Sequence, residues 1–416
     1  GEKLSMKKRY AFAGASGRGY SMYVRPLHTD FKDEVELVGI YDPNPIRASI
    51  TSKEFGNIPV FDDFDKMIEE GKPDAVIITT VDSHHHEYIV RSLEAGCDAI
   101  VEKPLTIDAE KCNAIIDAKK ATDRDIIVTF NCRYMPYFAK LKEIIKSGAI
   151  GEILNVDFEW MLDRRHGADY FRRWHRYLDK SGGLLIHKAS HHFDIINWLV
   201  DQDPVKVYAI GDLKFYGPTR QDRGERCFTC SHKDSCEFYF DIEANEFIRK
   251  FYFEAAEADG YFRDRCIFSE TIDIYDTMSV NVAYSEGTQL TYSLVAYSPY
   301  EGWRASFTGT EGRLEAVNYS SGQDSDREID QIKIIKSPGE TITYDVSRVK
   351  GGHGGGDEKL RDMVFRGGIP DPLGQKADLK AGIMSSIIGI AANESIKTGE
   401  PVNVADIIPV EELDNL

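Results

Sequence analysis

No stretch of the 416-residue chain approaches the run of about 20 apolar residues that a membrane-spanning helix needs, so a bilayer-embedded role is not expected. Positive charge is in short supply. Lys and Arg number 51 against 69 Asp and Glu, a net charge of −18. A field of that sign repels phosphate backbones and anionic lipid, so neither nucleic acid nor a membrane surface is an expected partner. Cysteine is scarce too: seven residues, an odd number, with Cys97, Cys112 and Cys132 in apolar segments. That suits a reducing compartment, the cytoplasm, better than a disulfide framework. No internal repeat or low-complexity tract stands out. What is present is the ordinary globular mixture, 42% hydrophobic and 29% charged. At roughly 150 residues per domain, two or three compact domains are expected.

Met6-Lys7-Lys8-Arg9 before Tyr10-Ala11-Phe12-Ala13 has the order of a secretory leader. Its apolar part is too short and runs into a glycine-rich turn, so a strand entering that turn is the expected structure. The chain starts at Gly1 rather than Met, which leaves a removed leader open.

Apolar runs at 10–13, 35–41, 75–79, 99–101 and 126–130 read as buried strands. Helical patterns lie between them at 45–55, 63–70, 85–95 and 107–121, with Thr106 expected as an N-cap and Gly96 as a C′ residue. Such alternation implies right-handed crossovers and a parallel sheet, with ligand bound where strand order reverses. The first turn, Gly14-Ala15-Ser16-Gly17-Arg18-Gly19, would let backbone N–H groups approach a pyrophosphate, although Ser16 replaces the middle glycine of G-x-G-x-x-G. Asp42 ends the second strand, where a carboxylate accepts a ribose 2′-OH and favours NAD over NADP. Arg47 is close enough in sequence to accept a 2′-phosphate instead. Lys103 precedes Pro104, which keeps it out of the helical region and at the strand's C-terminal edge.

These segments, with Thr79-Thr80 and His84, Glu102-Lys103-Pro104, Phe130-Asn131-Cys132-Arg133-Tyr134, Gly148-Ala149-Ile150-Gly151-Glu152-Ile153 and the helix carrying His191 and Asp194, resemble the Gfo/Idh/MocA oxidoreductases over nearly the whole chain. The resemblance implies a Rossmann domain followed by an α+β domain with a large, mostly antiparallel open sheet, commonly used to form homo-oligomers, here a dimer or tetramer. It implies that Lys103 contacts cofactor and substrate and that His191 is the catalytic histidine. It puts Thr79, Thr80, His84, Glu102, Asn131 and Arg133 on the cofactor side. The expected domains are 1–130 and 131–416, with a cysteine-containing insertion at about 217–250.

At 100° per residue, His187, His191, Asp194 and Trp198 fall on one helix face, with Ala189, Phe193, Ile196 and Val200 opposite as a core stripe. Many relatives carry Asp four residues before the histidine, where this chain has His187; proton handling, and the reaction itself, are therefore open. The run 164–175 is dense in Arg, His and Trp, suited to stacking on sugar faces and gripping hydroxyls. Arg164, Arg172, Trp174 and His175, with Asp194 and the glycine-flanked His353, are the expected substrate contacts. Cys227, Cys230, Cys236 and His232, with the distant Cys266 as an alternative, have ligand-like spacing for a structural zinc.

Strand composition recurs at 153–162, 205–216, 267–275, 279–284, 288–297, 303–309 and 312–317, and 377–397 reads as a helix with Ile383, Ile387, Ile390 and Ala391 as its core stripe. The expected function is an NAD(P)-dependent oxidoreductase of CH–OH groups acting on a sugar, polyol or keto sugar. The alternatives are an NAD-dependent glycosidase working by transient oxidation and elimination, and a non-catalytic NAD-sensing protein.

Overall fold

The computed structural model describes residues 6–337 and 339–416. Six strands, β1 (Lys8–Ala13), β2 (Val35–Tyr41), β3 (Val60–Phe61), β4 (Ala75–Ile78), β5 (Asp98–Val101) and β6 (Ile126–Val128), form a sheet in the order β3-β2-β1-β4-β5-β6. Every pairing is parallel. Ala11, Val76, Ile78 and Val101 pack on one face, and Tyr10, Phe12, Ile40 and Ile77 on the other. Both faces are covered, which is why these strands read as continuous apolar runs. Strand order reverses between β1 and β4, so a crevice opens at their C-terminal ends.

Local signals set the helix ends. Asn44 accepts the N–H groups of Ile46 and Arg47, and Gly96 follows the helix His85–Glu94 at φ +83°. The helix expected to be capped by Thr106 instead spans Ala109–Ala121, because the Asp108 carboxylate accepts the Lys111 N–H.

The second sheet has nine strands: β7 (Ile153–Asp163), β8 (Pro204–Asp212), β9 (Thr277–Tyr284), β10 (Gln289–Ser298), β11 (Gly302–Gly309), β12 (Gly312–Tyr319), β13 (Ile329–Ile335), β14 (Thr341–Ser347) and β15 (Val402–Asn403). Their order is β14-β13-β12-β11-β7-β10-β9-β8-β15, and only β7–β10 is parallel. The helices Ala189–Val200 and Leu379–Thr398 cover its inner face, the latter through Ile383, Ile387 and Ala391, with Ile390 only half-buried.

The expected strand at 267–275 is absent among the described residues. Ile267, Phe268, Ile272 and Ile274 are buried there, but in turns that fill the core without pairing. The strand expected over 205–216 ends at Asp212, because the buried Asp276 carboxylate takes the N–H groups of Lys214, Phe215 and Tyr216. The segment between β8 and β9 does more than carry cysteines. Its Phe247 and Phe251 rings lie 4.9 and 5.9 Å from Tyr20, so the insertion runs on past the expected 250 toward β9 and packs into the core of the parallel-sheet half.

Candidate active site

A cleft of about 600 Å³ runs along the C-terminal ends of the parallel strands, with walls from both sheets' halves and from the insertion. Its floor is the first turn. Gly14 has φ +105°, and a Cβ there would lie 2.8 Å from the Thr79 carbonyl carbon. At Gly19 it would lie 2.6 Å from Thr79 Oγ1. Thr79 Oγ1 in turn donates to the Gly14 carbonyl. The glycines thus let the turn lie flat against β4, leaving Ser16 and Arg18 on the cleft wall with Thr80 facing them. This cradle fits a dinucleotide pyrophosphate.

At one end of the cleft, Asp42 accepts the Ala15 N–H at 2.6 Å and the Asn44 N–H at 2.7 Å. Burial pushes its carboxyl up, against those two hydrogen bonds. Arg47, which the sequence offered to a 2′-phosphate, lines the cleft with Nη2 buried and unpartnered among the described residues, and the rest of its guanidinium is engaged. Its Nη1 is 2.6 Å from Asp259, its Nε donates to the Phe251 carbonyl, and its guanidinium lies over the Tyr252 and Tyr261 rings. The Gly17 N–H donates to the Tyr252 hydroxyl. Tyr252, Asp259 and Tyr261 all belong to the insertion and line the cleft. His84 sits half-exposed on the rim, 3.8 Å from Glu87.

Mid-cleft, Arg18 bridges Glu102 at 3.1 Å and Asp357 at 3.0 Å. The Tyr23 hydroxyl donates to the same Glu102 oxygen. Glu102 therefore fixes Arg18 and spends its carboxylate within the protein. Against the upward push of burial, hydrogen bonds from His353 and Arg18 hold Asp357 well below the usual carboxylate range. His353, at φ +48°, is drawn over the cleft by that bond. Asn131 donates to Asp357 through Nδ2, and its Oδ1 is buried in the cleft wall with no partner among the described residues.

At the far end stand Lys103, His187 and His191. Lys103 Nζ donates to the His187 carbonyl at 2.8 Å, and burial, opposed by the Asp82 charge, pushes its pKa down to about 8. His187 Nδ1 is 2.5 Å from Asp82, so the carboxylate missing from the helix is supplied from the loop after β4. Burial drives the Asp82 carboxyl up and, with the Lys103 charge, the His187 imidazole down. His191 Nδ1 lies 3.5 Å from Cys132 Sγ, a thiol pushed up to about 12 by burial. Burial and the nearby Lys103 and Lys188 hold the His191 imidazole well below its ordinary value. His175 stacks on Trp174 at 3.7 Å and meets His187 at 4.2 Å.

Several expected contacts lie elsewhere. Arg133 and Asp194 form a bidentate pair at 2.8 and 2.7 Å away from the cleft lining, with Trp198 beneath the guanidinium. The expected single helix is broken at Lys188 into Leu184–His187 and Ala189–Val200; His187 and His191 reach the cleft from either side of that break, while Asp194 and Trp198 anchor Arg133. Arg164 lies over Phe215 beside Glu237, and Arg172 donates to the Phe238 carbonyl and lies over Phe240; neither lines the cleft. It is their neighbour Arg173 that does, together with His166, Tyr170 and Lys188. None of these four was singled out from sequence, although the repeated basic and aromatic residues of 164–175 marked the segment.

The zinc expectation has no preformed site. Among the described residues no three His, Cys, Asp or Glu side chains converge on a metal-sized position. Cys227 faces Arg172 at 3.7 Å, Cys236 faces Arg220 at 3.5 Å and His232 is exposed, while burial and the neighbouring Cys230 and Cys236 push the Cys266 thiol up.

The family model described as oxidoreductase family, NAD-binding Rossmann fold matches residues 8–130. The model of the family's C-terminal alpha/beta domain matches residues 142–404. The putative oxidoreductase YteT of Bacillus subtilis is 35% identical over 97% of this chain and 99% of its own length. An inositol 2-dehydrogenase/D-chiro-inositol 3-dehydrogenase of Lactiplantibacillus plantarum is 30% identical, over 42% of this chain and 47% of its length. Among solved structures, levoglucosan dehydrogenase in complex with NADH and levoglucosan superposes with a TM-score of 0.68 at 19% identity, covering 96% of this chain and 100% of that one. With both domain models matched and a full-length relative at that identity, the chain belongs to the Gfo/Idh/MocA oxidoreductase family.

Proposed function

We propose that the protein is an NAD-dependent oxidoreductase that interconverts a secondary alcohol and a ketone on a sugar, polyol or keto sugar. The observation that carries this reading is that Lys103 and His191, close enough for the Lys103 charge to act on the imidazole, line the same cleft as the glycine turn's Ser16 and Arg18 and as Asp42. Bound NAD supplies the hydride acceptor, or in the reverse direction the donor.

Lys103 donates to the reacting oxygen and stabilises the charge that develops there as the proton leaves. His191, held neutral by burial, takes that proton at Nε2 when its Nδ1 hydrogen is directed to the Cys132 sulfur. His187 fixes Lys103 through its carbonyl and is itself fixed by Asp82, so these three residues act as one assembly beside His191. Trp174 and Tyr170 offer rings for the apolar face of a sugar. Asp42, with Arg47 neutralised by Asp259, supports NAD over NADP. Seven free thiols suit the cytoplasm. The exposed Tyr208, Ile210 and Val317 on the open sheet suit pairing with a second copy.

The test is a screen of sugars, polyols and their keto forms for absorbance change at the nicotinamide band, with product analysis. Stoichiometric NADH formation supports a dehydrogenase. Release of an aglycone with only catalytic NAD would replace this reading with the eliminating glycosidase. No turnover of any substrate despite tight NAD binding would point to a sensor.

A further inference from the structure

The substrate end of the cleft carries more positive charge than the proposed chemistry uses. Lys188 follows His187 directly and lines the same wall. Its ammonium makes no hydrogen bond or ion pair among the described residues, and only the Trp160 ring lies beneath it, at 5.0 Å. Burial pushes the Lys188 ammonium down, and Glu301, whose charge opposes that push, is committed to His166, whose Nδ1 is 2.9 Å from both of its oxygens. Lys188 is close enough to Lys103 and His191 for its charge to depress both.

The same inversion of sign extends behind it. Arg173 lines the cleft, and its one carboxylate partner, Asp169 at 3.4 Å, also serves Arg263 at 3.7 Å and Arg172 at 4.0 Å. Arg173 Nε is buried without a partner. Asp82 is already held by His187. A chain of net charge −18 has thus gathered Lys103, Lys188 and Arg173 in one cleft, a field that would draw in and hold an anion. Elsewhere in the cleft the cations are matched, Arg18 by Glu102 and Asp357, and Arg47 by Asp259. Arg173 acts on Tyr252, which is bonded to Gly17, so a phosphate at the glycine turn can account for Arg173; no group of that turn acts on Lys188, which stays unmatched.

We propose that the substrate is a sugar acid, a uronic acid, whose carboxylate is bound by Lys188 while Lys103 and His191 act on a nearby ring hydroxyl. Lys103 alone serves the reacting oxygen, and Lys188 is left to read the acid group. This inference rests on the reading of the cleft as an oxidoreductase site.

The experiment compares D-glucuronate and D-galacturonate with their methyl esters, which remove the charge and keep the ring. Both turnover with NAD and binding to the protein–NADH complex, followed by nicotinamide fluorescence, are measured. At least one acid is expected to exceed its ester in kcat/KM or affinity by about 10- to 100-fold, the range for a charged hydrogen-bonded contact. That ratio should collapse toward one in Lys188→Met and persist in Lys188→Arg. The comparison within the wild-type protein stands even if a variant fails to fold. Acids and esters turned over alike would overturn the inference and leave the oxidoreductase reading intact. So would a Lys188→Met variant that only weakens NADH binding and keeps the acid preference. Lys188-dependent binding of an acid with no redox change would uphold the inference and sink the oxidoreductase reading. The absence of both binding and turnover for every acid would also overturn it.

Discussion

Arg47, on the helix after β2, donates from Nη1 to Asp259 at 2.6 Å across 212 residues of chain. The only role the sequence offered Arg47 was capture of a 2′-phosphate, and a carboxylate from the insertion now occupies that guanidinium. Asp259→Ala should therefore free it. The expected result is a rise of about tenfold in kcat/KM for NADP relative to NAD, as for gaining one charge-assisted contact. Steady-state kinetics with both cofactors measure it; an unchanged ratio would leave Asp259 without a part in cofactor choice.

Lys103→Met and His191→Ala should each lower turnover by about 10²- to 10⁴-fold, the span for losing a positioned acid or base. NADH binding, read by fluorescence, should stay within a few-fold of wild type, because the glycine turn and Asp42 are untouched.

The pH profile of kcat/KM for alcohol oxidation should be bell-shaped. His191 must be neutral, and its pKa is depressed, so the acid limb lies below the ordinary imidazole range. Lys103 must be protonated, so activity should fall as pH rises through about 8. Lys103→Arg, which does not titrate there, should abolish the alkaline limb in whatever activity remains.

Asp82→Asn keeps the shape of the side chain and removes the charge that faces His187. The expected effect is a loss of about 10- to 100-fold in kcat, the cost of disturbing a group that orients a site residue. Thermal stability should change far less than kcat, and a large drop in Tm with normal kcat would mark Asp82 as merely structural.

Asp194→Ala should behave in the opposite way. The Arg133 and Asp194 side chains are only 7% and 1% exposed, and removing one partner of a buried pair costs about 3–5 kcal/mol. Tm should fall by several degrees, while specific activity of the folded fraction should stay near wild type.

What sequence reveals here is what chain neighbours determine. The glycine turn, five strands of the parallel sheet and Lys103 before Pro104 are local patterns, and each lies where its pattern placed it; the two-residue edge strand Val60–Phe61 is too short to show one. Apolar content marked burial at 267–275 but could not distinguish a paired strand from turns packed on the core. The alternating 329–335 and 341–347 passed unnoticed, because Asp330 and Lys333 broke the apolar runs, and Asp330 is neutralised only by Arg348, beyond the next strand. The site divided along the same line. The histidines at 187 and 191 could be placed from helix periodicity, but Asp82 lies 105 residues from His187, and no spacing rule joins them. Arg172 and Arg173 look equivalent in sequence; the backbone leaving the helix Arg164–Arg172 decides which one faces the cleft.

The grip of the insertion on the first turn has one more consequence. Tyr252 and Asp259 are rooted between β8 and β9, yet they latch onto Gly17 and Arg47 in the other half of the molecule. Swinging the two halves apart must unfasten that latch. A nucleotide beneath it would then leave only as often as the hinge opens, so catalysis and cofactor exchange would run on separate clocks.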